Sequence, residues 1–266
     1  MSKIKDLFDQ MWEDYVKLNP QAAEIVSLLK SIGEPIVNDH IALRTFNLPQ
    51  VSKEEIAKPF LECGYRYIES YDFTEKKLKA SHYEHTDPEM PKVFISELLI
   101  ENFSDGFQSL VKKLVTSVDS EMYKNFDLMY SGRPWDISFD EYQQLKQESE
   151  YGAWLGAIGF RPNHFTISIN HLKKYSDILS LNSFLKESGY KLNGQGGEVK
   201  GSVDDLLEQS STLANIVEIK FSDKTASIPS CYFEFAKRYP LKSGELFQGF
   251  VAKSADKIFE STDKGQ

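Results

Sequence analysis

The stretches His40-Ile-Ala-Leu-Arg44 and His164-Phe-Thr-Ile-Ser168 are one segment met twice. Each is followed by a matching helix end and Gly-Tyr pair, Phe60-Leu-Glu-Cys-Gly64-Tyr65 and Phe184-Leu-Lys-Glu-Ser-Gly189-Tyr190. The Gly-Tyr pair trails its histidine by 24 positions in the first half and 25 in the second. A late apolar strand carrying a glutamate closes each half, Val93-Phe-Ile-Ser-Glu97 and Cys231-Tyr-Phe-Glu234. Self-similarity of this order signals two copies of one supersecondary unit.

Working outward, 40–46 reads as a strand. Ser52 to Gly64 reads as a helix, with a Ser52-x-x-Glu55 capping pattern at its start and a glycine at its end. Strand-like stretches follow at 65–73, 78–83 and 92–100, giving the order β-α-β-β-β. The same order resumes at His164, with a helix over 176–188 and strands near Tyr190, at 213–221 and at 230–236. The Gly-rich segment Gly194–Ser202 lengthens this second copy, and its glycines suit either a flexible loop or a lid. Between the copies, Phe107, Leu110, Val111, Leu114 and Val115 fall at helical spacing, as does the charged stretch 141–151.

Ahead of the repeat, Ile4, Leu7, Phe8, Met11, Trp12, Tyr15 and Val16 form the apolar stripe of a helix that stops before Pro20. A second helix carries Ile25, Val26, Leu29 and Ile32. The expectation is an α+β fold in which two βαβββ modules form a curved sheet around a metal site. Its parts are N-terminal helices (1–37), a first module (38–102), a helical insertion (103–160), a second module (161–240) and a tail (241–266). The tail is expected to pack through Leu246, Phe247, Phe250 and Phe259.

Composition narrows the function. The chain has 266 residues, 41% hydrophobic and 27% charged, as expected of a globular protein. A net charge of −9 argues against a nucleic-acid partner or an anionic membrane surface. Cys63 and Cys231 form no C-x-x-C pair, so neither a disulfide framework nor a thiolate zinc site is indicated. No apolar run reaches the roughly 18 residues of a membrane span, and a cytoplasmic location is the expectation. No oligomeric state is assigned.

The chemistry follows from strand geometry, in which alternate side chains share a face. His40 shares one with Ala42 and Arg44, His164 with Thr166 and Ser168, and Glu234 with Tyr232 and Ala236. Two histidines and a carboxylate from three strands make a facial triad, which favours Fe(II) but also accommodates Mn, Co, Ni or Zn. Such a site can take a 2-oxo acid through its keto and carboxylate oxygens and keep a position for dioxygen or water. Arg44, about 13 Å along the strand from His40, suits a substrate carboxylate. A structural ion pair with a glutamate is the alternative for Arg44. Glu97 is a candidate fourth ligand as the counterpart of Glu234. His82, His85 and His171 read as surface or supporting groups.

The modules, with His, His and Glu so placed, resemble the vicinal oxygen chelate superfamily. Further strings are more specific: Asn38-Asp-His-Ile-Ala-Leu-Arg-Thr-Phe46, Lys76-Lys-Leu-Lys-Ala80, Pro91-Lys-Val-Phe-Ile-Ser-Glu-Leu98, Gly197-Glu-Val-Lys-Gly-Ser202, Tyr232-Phe-Glu-Phe-Ala-x-Arg238 and Ala255-Asp-Lys-Ile-Phe-Glu-Ser-Thr262. Together they resemble the 2-oxoadipate dioxygenase/decarboxylase family over about 38–262. The resemblance implies Fe(II)-dependent conversion of 2-oxoadipate and O2 to 2-hydroxyglutarate and CO2 in lysine breakdown. It implies His40, His164 and Glu234 as metal ligands, Arg44 as the substrate arginine, and weaker substrate roles for Lys200, Ser202 and Val251. A metal-dependent lyase, isomerase or hydrolase on the same scaffold, or a non-catalytic small-molecule binder, are the competing classes.

Overall fold

A computed structural model describes residues 3–124 and 126–251. Two helices come first, α1 (Lys3–Leu18) and α2 (Pro20–Ser31), with Pro20 at the start of the second, where its missing N–H is harmless. The first module is β1 (Asn38–Phe46), α3 (Lys53–Glu62), β2 (Tyr65–Phe73), β3 (Leu78–His85) and β4 (Lys92–Leu98). The insertion is helical as expected, with α4 (Asp105–Thr116), α5 (Phe139–Glu148) and α6 (Glu150–Ile158). The second module comprises β5 (Pro162–Ser168), α7 (Ile178–Glu187), β6 (Lys200–Ser202), β7 (Leu207–Ser211), β8 (Ile216–Lys220), β9 (Thr225–Pro229) and β10 (Glu234–Arg238).

Eight strands form one curled sheet in the order β2-β3-β4-β1-β5-β10-β7-β6. That order is symmetric about its centre. β1 and β5 pair antiparallel, and each has the last strand of its own module beside it in parallel, β4 and β10. Ala42 pairs with His164 and Ile41 with Phe165, so a local two-fold axis relates His40 to His164. This is the paired-module arrangement that the resemblance implies.

The helices set this sheet's position. Trp12 and Tyr15 of α1 pack on Phe165 with ring centroids 5.1 and 5.0 Å apart. The Tyr15 hydroxyl donates to the backbone carbonyl of Tyr232, two residues before Glu234. α6 is buried at every residue after Glu150, as an apolar helix without a polar face must be. Its small residues permit that: a Cβ on Gly152 would lie 2.6 Å from the Phe107 ring. Close packing of α6 brings Tyr151 and Trp154 beneath β1.

Three expectations are corrected, two of them in the second half. No strand forms at Tyr190; a single bridge joins Leu192 to Thr212. Residues 213–221 are not one strand of the main sheet. Ile216–Lys220 instead pairs with Thr225–Pro229 as a separate hairpin. Its sequence alternates apolar and charged residues, which suits one covered face rather than a sheet interior buried on both. The sheet position belongs to β7, whose Gln209, Ser210 and Ser211 are polar yet buried. Phe259 and the string 255–262 lie outside the described residues.

Glu97 is the third correction. In the second module Glu234 stands opposite Thr166, two residues past His164. The matching place in the first module, opposite Ala42, holds Phe94, while Glu97 pairs with Thr45 on the other face. There its carboxylate accepts from the backbone N–H of Lys53 at 3.0 Å and lies 3.3 Å from the Lys53 ammonium. It anchors the start of α3, where the helix dipole favours an anion. Replacing Glu97 by Ala should cost about 1–2 kcal/mol of stability in denaturant unfolding and leave metal content unchanged. A fall in metal content would restore it as a ligand.

Candidate metal centre

His40, His164 and Glu234 come together at the centre of the sheet. One ligand atom from each lies within 4.8 Å of the others, and all three residues are buried. His40 Nε2 stands 3.2 Å from Glu234 Oε1, and His164 Nε2 stands 3.4 Å from Glu234 Oε2. The two imidazole rings meet edge to face at 5.5 Å.

Each imidazole is aimed by the residue before it. Asp39 Oδ2 accepts from His40 Nδ1 at 2.8 Å, and Asn163 Oδ1 accepts from His164 Nδ1 at 3.2 Å. Holding Nδ1–H this way turns both Nε2 atoms toward the common centre, the usual support for metal-binding histidines. Asp39 is itself fixed by Arg238 through bonds of 2.7 and 2.8 Å. Gln209 Nε2 donates to Glu234 Oε1 at 2.6 Å. Glu234 Oε2, fully buried, has no hydrogen-bond partner among the described residues. A buried carboxylate oxygen left without a donor beside two Nε2 atoms is the donor set a divalent cation satisfies.

The charge states of His164 and Glu234 agree with that use. Burial, reinforced by His40 and Arg44, outweighs Glu234 and lowers His164 to about 3, which keeps its Nε2 lone pair free. Burial also opposes charge on His40, but its bonds to Asp39 and Glu234 outweigh that and raise it above the ordinary histidine range. Burial would raise Glu234, yet both histidines and Gln209 hold it below the usual carboxylate range. Asp39 behaves likewise, held well down chiefly by Arg238 against its burial.

Arg44 lines the same small cavity of about 30 Å³, together with Ser96, Tyr232 and Phe250. Its guanidinium lies 4.8 Å from the Tyr151 ring centre and 5.0 Å from that of Trp154, so α6 supplies its platform. Tyr232 stacks on His164 at 4.7 Å. Beside it Cys231 is buried, its Sγ 3.4 Å from the Pro162 carbonyl, and burial pushes its thiol up to about 12.

The weaker candidates sit apart. Lys200 is buried on β6, in register with Gln209, and its Nζ donates to the Asn193 carbonyl at 2.7 Å. Ser202 bonds Asp205 at 2.7 Å. Neither lines the cavity. Val251 is half-buried and directly follows Phe250, which does. His82 is fully buried rather than at the surface, bonded to the Tyr71 hydroxyl at 2.8 Å. His85 and His171 are partly buried and bond the Cys63 carbonyl and Ser168. Sequence reasoning missed Asp39, Asn163 and Gln209. The first two had a signal, since each precedes its histidine at matched positions, whereas Gln209 had none.

The sequence profile of the 2-oxoadipate dioxygenase/decarboxylase family matches residues 1–248. The chain belongs to this family. A curated family member from Arabidopsis thaliana, a 2-oxoadipate dioxygenase/decarboxylase described as chloroplastic, is 34% identical over all of this chain and 79% of its own length. The hydroxyglutarate synthase of Oryza sativa, solved in complex with 2-oxoadipate, superposes with a TM-score of 0.93 at 34% identity, covering 99% of this chain and 93% of that one. A Shewanella frigidimarina protein described provisionally as a hydrolase is 50% identical, with a TM-score of 0.91 over 95% of this chain and 99% of its own. The family makes this protein an enzyme of the 2-oxoadipate dioxygenase/decarboxylase type. Among the described residues no helix is long and apolar enough to cross a membrane.

Two substitutions separate a metal ligand from its support. His164→Ala should abolish retention of a divalent metal after dialysis, read by elemental analysis, with the circular dichroism spectrum unchanged. Asp39→Asn should keep the site but weaken metal affinity by about ten- to a hundredfold. Full metal retention in His164→Ala would remove the triad from consideration.

Proposed function

We propose that this protein is an Fe(II)-dependent oxygenase that converts 2-oxoadipate and O2 into 2-hydroxyglutarate and CO2, a step of lysine breakdown. The supporting observation is that Arg44 shares one cavity with His40, His164 and Glu234, in a chain that superposes on a relative solved with 2-oxoadipate. The reading includes the cytoplasmic location expected from the sequence, although the Arabidopsis relative is described as chloroplastic.

His40, His164 and Glu234 would hold the iron, which when bound supplies an open coordination site for the 2-oxo acid and activates dioxygen. The reaction balances without further reductant: the bond between the carboxylate and keto carbons breaks and CO2 leaves, one oxygen atom of O2 ends in the new carboxylate at the former keto carbon, and the other is inserted into a C–H bond of the adjacent carbon as the hydroxyl group. Arg44 stands on the face of β1 that carries His40, at the end of the strand away from Asp39. There its planar fork holds the substrate carboxylate by paired hydrogen bonds and fixes the acid's orientation. Tyr151 and Trp154 keep the guanidinium from rotating away. Burial and the neighbouring Glu234 hold Tyr232 well above the ordinary phenol range, so it stays a neutral hydroxyl in the cavity wall. Leu43 and Phe94 complete that wall with apolar surface and exclude bulk water.

The 50% identity to a protein described as a hydrolase supports a second reading, metal-dependent hydrolysis on the same scaffold. Oxygen consumption separates the two. The iron-loaded protein should consume one O2 and release one CO2 per 2-oxoadipate. Arg44→Ala should lower kcat/KM by about a hundredfold or more with iron content intact, and Arg44→Lys should recover little of it. Wild-type turnover in Arg44→Ala would make the arginine structural. Activity without oxygen would favour the hydrolase.

A further inference from the structure

The two oxygens of the Glu234 carboxylate are treated unequally. Oε1 accepts from Gln209 Nε2 at 2.6 Å and from the Thr166 hydroxyl at 3.5 Å. Oε2 has no donor among the described residues. A carboxylate oxygen offers two lone-pair sites, so Oε1 is filled and Oε2 is open. The bond from Gln209 decides this, because it is short and its acceptor is an ion, whereas 3.5 Å is at the limit of a hydrogen bond. An ionised carboxylate only accepts, which fixes the amide with its NH2 end toward Glu234.

Gln209 is held rigidly. It is buried on β7, in register with Ala236 of β10 on one side and with Lys200 of β6 on the other. The first module supplies a comparison. Ala236 stands opposite Ser168, four residues past His164, and Ser96 stands opposite Arg44, four past His40. The partner of Ser96 on β3 is Ala80, so Ala80 is the counterpart of Gln209, as Phe94 is of Glu234. The carboxylate and the amide therefore occur together in one module and are missing together from the other. A long polar side chain buried in the sheet only where the carboxylate is present serves the carboxylate.

We propose that Gln209 is a positioning residue that keeps Glu234 a one-oxygen ligand: by holding Oε1, it leaves Oε2 alone to face a metal ion. The consequence is a count of places. A six-coordinate ion held by two imidazoles and both carboxylate oxygens has two places left, and one held through a single oxygen has three. Under the function proposed above, on which this use of the places rests, three are needed: two for the keto and carboxylate oxygens of the acid and one for dioxygen. Without the amide, Oε1 becomes a buried anionic atom short of its strong donor, and the cation beside it is the partner within reach. Glu234 then closes on the ion with both oxygens and a place is lost.

Manganese(II) is the probe, because its bound waters can be counted by electron–nuclear double resonance in isotopically labelled water. Wild type, Gln209→Met and Gln209→Leu would be loaded with it once circular dichroism confirms each fold. Both substitutes are close to glutamine in bulk and carry no donor. Wild type should show three exchangeable waters and each variant two, and 2-oxoadipate should displace two from wild type. Weaker metal retention follows the loss of any group that supports a ligand, so the water count carries the decision. Three waters in wild type and in the folded variants overturn the proposal, since Gln209 then only fills space. Two waters in wild type overturn it as well, because Glu234 would already use both oxygens. Counts of three and two with no water displaced by 2-oxoadipate overturn the functional reading alone and leave the role of Gln209 standing. No manganese retained by wild type overturns both.

Discussion

The buried ion pair between Asp39 and Arg238 is the contact on which the rest of the centre depends. Asp39 is on β1 and Arg238 on β10, so the pair spans the junction of the two modules. Each partner then does a second task. Asp39 aims His40, and Arg238 holds the carbonyls that fix the segment ending in Phe250. Two charges out of water are expensive, and such a pair adds little net stability over an apolar substitute. Breaking one partner away is a different matter, about 3–5 kcal/mol, because the other charge stays buried and alone. The value of the pair therefore lies in position: one rigid unit sets the imidazole, the module junction and the cavity wall.

The local two-fold is as informative where it fails as where it holds. His40 and His164 are true equivalents, and so are the residues that aim them, Asp39 and Asn163. The carboxylate is not duplicated, because Phe94 occupies the place that corresponds to Glu234. Four protein ligands would close a metal's coordination shell, whereas three leave it open to substrate. A second asymmetry is electrical. Burial lowers both histidines, but only His40 has the bonds to Asp39 and Glu234 that overcome it, so the two are oppositely shifted in their proton affinity.

Much of this was legible in the sequence because strands and helices impose different periods on apolar residues. The first module, the two N-terminal helices and the helical insertion all announce themselves that way, and the histidines stand out by matched spacing. The second module hid two strands of the main sheet, the short Lys200–Ser202 and its neighbour. Leu207–Ser211 is rich in Gln and Ser, and its burial makes sense only once Glu234 and Asn182 are seen as bonding partners of Gln209 and Ser210. Hydrophobicity went instead to Ile216–Lys220, which forms a hairpin away from the site. Glu97 misled for a related reason: sequence position named it as a counterpart, and only strand register shows that it faces the other way. Phe250 was legible as a packing residue, but not as one that packs against His40.

Cys231 adds a consequence of a different kind. It is the residue before Tyr232, in a family named for reactions with dioxygen. Thiols are oxidised through their thiolate form, and a group pushed up to about 12 has almost none of it at neutral pH. Buried against the Pro162 carbonyl, it is also closed to solvent. The strand leading to Glu234 therefore carries its sulfur atom in an unreactive form, shielded by packing and by the scarcity of thiolate.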